Sequence, residues 1–152
     1  MKNTGIFDFD KDVIYGAQPV RCSLTVEAMR EGIKLGHEFQ NVKVAKGSDG
    51  SYIILEGNHR TSAHYLEKKS LGYIVLLTEE SSNCISRSYN IKDKVVGGID
   101  YMRLANSLIY LPKNVARDFC ERNNLEEFFG ELEKISGQIK ICKWQCLEIE
   151  AE

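Results

Sequence analysis

Tyr52–Gly72 reads YIILEGNHRTSAHYLEKKSLG, and its interpretation decides the fold. Tyr52, Ile53, Ile54 and Leu55 are strong β-formers and predict a strand. Glu56 and Gly57 end it. From about His59 to Ser70 the pattern is helical. Ala63, Tyr65 and Leu66 supply an inward face, and Lys68 and Lys69 enrich the last turn, where cations suit the carbonyl end of a helix. Leu71-Gly72 closes the helix, and Tyr73–Leu77 is a second apolar strand. Upstream, Val42-Lys43-Val44 alternates like a half-buried strand and Gly47-Ser48-Asp49-Gly50 is turn chemistry, so a β-hairpin precedes the helix. The unit is hairpin, helix, strand, and its crossover is expected to lay the last strand parallel to the strand before the helix.

Residues 1–21 read as an irregular lead-in with a short strand at Val13–Tyr15, followed by Gly16-Ala17-Gln18-Pro19. Ser23 or Thr25 is expected to cap a helix carrying Leu24, Ala28 and Ile33, with Glu27 in its first turn and Gly36 at its end. After Leu77 the chain turns polar as far as Val95, which reads as a linker with the composition of a surface loop or a lid. Beyond it Asp100 caps a helix bearing Met102, Leu104, Ala105 and Leu108. Pro112 suits the first turn of another helix, with Val115, Ala116 and Phe119 inward. Asn124-Leu125-Glu126-Glu127 resembles a capping box for a third, which buries Phe128, Phe129 and Leu132 and ends at Ser136-Gly137. Ile139–Ile149 alternates as a final strand. The expected organisation is a domain at 1–78, a linker at 79–95 and a mostly helical extension with a final strand at 96–152, packed on the first part.

A chain of 152 residues is long enough to bury a core without staples. Its 20 basic and 22 acidic side chains leave no overall basic excess, so nucleic-acid binding would need a local patch. Arg60, Lys68, Lys69 and Arg87, interleaved with Tyr65 and Tyr89, are the residues that could form one. No apolar leader and no membrane-spanning run are present in the sequence. Five cysteines without a CxxC pair read as reduced thiols in a cytoplasmic protein; Cys142 and Cys146 with the three histidines leave a zinc site as the minor alternative to buried, inert thiols.

The strand-to-helix junction carries the chemistry. A helix that opens directly after a glycine exposes unpaired N–H groups and the positive end of its dipole, which together attract phosphate or carboxylate. Gly57 permits a tight turn and close approach of a ligand. Arg60 brings a planar fork of donors, His59 can donate a hydrogen bond or move a proton, and Asn58 can donate and accept. Thr61 and Ser62 can bond the same anion or cap the helix. Glu56 belongs beside an anion only as a metal ligand or general base. The plainer reading is a decorated helix start with Arg60 paired to Glu56. His64 lies on the helix body and His37 follows the Gly36 stop; both read as structural.

These residues also carry a resemblance. Gln18, a helix, and then HEFQNVKVAKGSDGSYIILEGNHRTSAHYLEKKSLGYIVLL over 37–77 present Asp49-Gly50, Gly57-Asn58-His59-Arg60, Ala63 and Gly72 in order. Over about residues 12–78 this resembles the ParB N-terminal/sulfiredoxin superfamily, the ParB-like nuclease domain. The resemblance implies an α+β fold with a mixed sheet and flanking helices. It also implies nucleotide phosphates held by Gly57, Asn58, His59 and Arg60, with Thr61 and Ser62 at the helix start and Gln18 lining the pocket. Mg2+ with ATP or CTP would be the cofactor, Glu56 would hold metal or deprotonate an acceptor, and His59 would polarise a phosphate. Asn58 stands where sulfiredoxin has its catalytic cysteine, so that repair reaction is not expected. The expectations are therefore a phosphoryl-transfer or nucleotide-hydrolysing enzyme, or a non-catalytic nucleotide- or DNA-binding adaptor. A nuclease ranks last, for want of acidic metal ligands around the box.

Overall fold

A computed structural model describes residues 3–17, 21–78, 87–95 and 97–139, in two units, Met1–Gly98 and Ile99–Glu152. The first unit runs β1 (Thr4–Ile6), β2 (Ile14–Gly16), α1 (Ser23–Lys34), β3 (Val42–Lys46), β4 (Tyr52–Glu56), α2 (Asn58–Glu67), β5 (Gly72–Thr78) and β6 (Tyr89–Asn90). Its strands form one six-stranded mixed sheet in the order β1-β5-β3-β4-β2-β6. The second unit contains α3 (Tyr101–Leu108), α4 (Lys113–Arg122) and α5 (Glu126–Ile139). The class is α+β.

The hairpin β3–β4 is the centre of the sheet. Its turn is held by Gly47 N–H to Ser51 O at 2.8 Å, and by Asp49 Oδ1 accepting from Ser51 N at 3.0 Å and Ser51 Oγ at 2.6 Å. Val44 pairs with Ile54 and Ala45 with Ile53, and all four are fully buried. Neighbouring residues of a strand point to opposite faces, so both faces of the sheet are covered here. Each isoleucine removed from water contributes about 1.5–3 kcal/mol. One cluster gathers Phe7, Ile14, Val42, Val44, Tyr52, Ile54, Leu71 and Ile91.

Strand β5 departs from expectation. It pairs parallel with β3, not with β4, and therefore runs opposite to the strand that precedes α2. The position on the other side of β4 is taken by β2, which lies parallel to it with Ile14 opposite Tyr52 and Gly16 opposite Ile54. Part of the expected linker also belongs to the sheet. Tyr89 and Asn90 pair antiparallel with β2, and the next residue, Ile91, is buried in the core. Residues 79–86 of the expected linker lie outside the described residues.

Helices α1 and α2 pack on each other. Gly36, at φ 87°, ends the first as its sequence position implies. The second stops three residues before Ser70, with Lys68 in the left-handed region at φ 53°. In the second unit the Asp100 carboxylate caps α3 by accepting from Arg103 N at 3.1 Å. Leu104, Leu108, Ala116, Phe119, Phe129 and Leu132 are buried, while Phe128 is only half-buried. Helix α5 continues through Ser136-Gly137 to Ile139. The strand expected from Ile139 lies otherwise outside the described residues. No described helix is long and apolar enough to cross a membrane.

Candidate functional site

Gly57 is the N-cap of α2 at φ 110°, and a Cβ there would sit 2.4 Å from Val42 Cγ1. Both facts require glycine. The next residues turn inward. Asn58 is 5% exposed and its Oδ1 has no hydrogen-bond partner, an expensive state for a buried amide. His59 is 4% exposed, and its Nε2 accepts the backbone N–H of Cys22 at 2.8 Å. That ring nitrogen carries a lone pair, so the neutral ring has its proton on Nδ1. Thr61 Oγ1 donates to Gly57 O at 2.8 Å, and Ser62 Oγ accepts from Arg21 at 3.3 Å.

Arg60 and Glu56 face elsewhere. The Arg60 guanidinium donates to the carbonyls of Gln40 and Asn41 at 3.1 and 3.2 Å, tying down the approach to β3. Glu56 is exposed and pairs with Lys43 at 3.1 Å, directly across the β3–β4 ladder. An exposed pair of this kind contributes at most about 1 kcal/mol. Of the expected basic strip, Arg87 lies 3.8 Å from Asp49 and Tyr89 lies under Arg21. Gln18 is outside the described residues.

A second helix start lies beside the box. β2 and β4 are adjacent and parallel, and each leads into a helix, so α1 and α2 both begin beyond the carboxyl ends of neighbouring strands. The Cys22–His59 hydrogen bond joins the two starts directly. Neither N-cap supplies a side-chain hydrogen bond, and neither first turn holds an acidic residue. This corrects the expected cap of α1. Cys22 occupies the N-cap, Thr25 is buried with Oγ1 unpartnered, and Glu27 sits one turn on, paired with Arg30 at 3.1 Å. Each helix start carries roughly half a positive charge, and two such ends in contact repel each other.

Arg21 adds a full charge and was not legible as a site residue. It is 4% exposed. Nη1 donates to Ser62 Oγ and Ile91 O (3.1 Å), Nη2 donates to Asp93 O (3.0 Å) and Lys94 O (3.2 Å), and the guanidinium lies 4.2 Å from the centre of the Tyr89 ring. Burial lowers its pKa, while Tyr89 and Asp93 act in the opposite direction. Among the described residues no carboxylate forms an ion pair with it. A lone arginine before a helix resembles any solvated charge in sequence; only the fold brings Ile91–Lys94 over it.

Main-chain amides of two helix starts, with the positive charge of Arg21 beside them, suit an anion. They do not fit a protein-held Mg2+, which asks for carboxylates. Among the described residues no three His, Cys, Asp or Glu side chains are grouped to hold a metal. No protein-family model matches the chain, and no curated protein or solved structure matches it either.

Proposed function

We propose that this chain is a nucleotide-phosphate-binding module of the ParB/sulfiredoxin-like kind, and that it binds without turnover. The phosphates would meet the main chain where α1 and α2 begin. The observation that carries this reading is the pairing of two helix starts without side-chain caps at the ends of adjacent parallel strands. Their mutual repulsion and the nearby buried Arg21 are both relieved by a negatively charged guest.

What favours binding over catalysis is the state of the two expected catalytic groups. His59 is buried with Nε2 already accepting a backbone N–H, so it has no lone pair left for a substrate proton. Glu56 is on the surface in an ion pair with Lys43. Arg60 and the hydroxyls of Thr61 and Ser62 support the loop rather than the ligand. Any Mg2+ would arrive with the nucleotide, since the donor set does not hold it.

Calorimetry with Mg·ATP, Mg·CTP and ADP, followed by quantification of nucleotide after prolonged incubation, tests the reading. Saturable binding of at least one nucleotide with none consumed is expected. Turnover that is lost in both Glu56→Gln and His59→Gln would replace the module with an enzyme.

A further inference from the structure

A cavity of about 470 Å³ lies at the end of α2 away from Gly57. It is bounded by the edge strand β1, by the stretch from His37 to Asn41 that leads into β3, and by Lys69 and Ser70 just after α2. His64, in the last turn of α2, is 4% exposed and lines it. Nδ1 of His64 donates to the Arg60 carbonyl at 2.7 Å, so the neutral ring keeps its lone pair on Nε2. Among the described residues none donates a hydrogen bond to that nitrogen. Nor is Nε2 sealed inside the protein; its opening is the cavity, and its donor has to come from there.

We propose that this cavity is a second ligand site, which takes a small flat acid carrying an O–H or N–H donor. It does not depend on the phosphate reading above. The volume falls within the ~300–1,000 Å³ of small-molecule pockets. The donor group meets Nε2 of His64. Flatness follows from the wall, where Phe39 stands edge-on to His37, with ring centres 4.4 Å apart, and edge-on to His64, at 5.8 Å. A ligand ring can join this row of rings. The charge follows from the field at His64. Burial lowers its pKa, and the Arg60 and Lys69 charges act the same way, against the Arg60 carbonyl. The ring is therefore a neutral acceptor beside positive charge, which disfavours an ammonium donor and favours a neutral donor on an anionic ligand. Lys69 is exposed on the cavity wall and forms no ion pair among the described residues, so it can meet the acid group. Glu38 is exposed on the same wall but is not among the charges that act on His64.

The test titrates para-hydroxybenzoate and indole carboxylate, which carry an O–H and an N–H donor, into the isotope-labelled full chain, with para-methoxybenzoate as the acid without a donor. The His64 ring nitrogens and the backbone amides are followed by NMR. At least one donor acid should bind saturably and about tenfold or more tightly than the methoxy acid. It should move the His64 Nε2 resonance and the amides of residues 37–39 and 69–72, and leave those of 57–61 in place. Lys69→Ala, at an exposed position, should weaken every acid about threefold, and His64→Phe should erase the preference for a donor. An Nε2 resonance that stays fixed with both donor acids at millimolar concentration, equal affinities for all three acids, or full affinity in Lys69→Ala would overturn the inference. The ring resonance is read on the unaltered chain, so a His64 variant that fails to fold leaves the test intact. None of these results bears on nucleotide binding at the helix starts.

Discussion

Arg21 concentrates the account at the level of single residues. Its two terminal nitrogens satisfy one hydroxyl and three carbonyls, and its central carbon lies over the Tyr89 ring. Arg21→Met leaves those carbonyls without donors, and a loss of about 2–4 kcal/mol is expected from the urea midpoint. Arg21→Lys should recover little, because an ammonium cannot reproduce the planar fork. A variant within a few tenths of a kcal/mol of the parent would show that the brace carries no weight. His64 gives a second prediction. It is 4% exposed, and Nδ1 lies 2.7 Å from Arg60 O, which makes that nitrogen the donor. Burial pushes its pKa down, with Arg60 and Lys69 acting the same way and the Arg60 carbonyl opposing. The folded state thus binds the proton less readily than the unfolded chain. The associated stability is complete above the ordinary histidine value of about 6.5 and falls as the pH drops below it. The gap in unfolding free energy between the parent and His64→Gln should therefore shrink from pH 7 to pH 5; a constant gap would contradict this.

Among the elements, the turn from β4 into α2 is the most constrained. Gly57→Ala must hold an unfavourable φ and drive a methyl group into Val42. A cost of about 2–4 kcal/mol is expected, part of which Val42→Ala should relieve, so the double variant is less destabilised than the sum of the singles. Strict additivity would place the methyl elsewhere. Elements of this kind were legible because their determinants are local: β-formers, the Asp49-Gly50 turn, a glycine, then helical spacing. Strand β6 was not, because two residues in a polar stretch carry no periodic signal and pair only once β2 is in place. The partner of β5 was equally hidden, since the choice between β3 and β4 is settled by β2 occupying the far side of β4. The box was legible as a helix start, but the burial of its side chains was not. Sequence gives the residue types at a helix start, whereas burial decides which of them face inward, and here Asn58, His59, Thr61 and Ser62 do.

At the scale of the molecule, the paired helix starts are the feature that local sequence conceals and topology creates. They lie beyond the parallel strands β2 and β4, which α1 and β3 separate along the chain, and the Cys22–His59 hydrogen bond holds them together. An anion seated there also stabilises the fold, so Mg·nucleotide should raise the unfolding temperature in proportion to the logarithm of its excess over Kd. Because the attraction is electrostatic, that gain should weaken with added salt. The claim beneath all of this is that the main chain at the two starts receives phosphate. It is tested most directly by titrating Mg·ATP and Mg·CTP into the isotope-labelled full chain and following its backbone amide resonances. The account predicts saturable shifts, for at least one nucleotide, centred on residues 22–25 and 57–61. Amides there that stay fixed at millimolar concentrations of both nucleotides would contradict it.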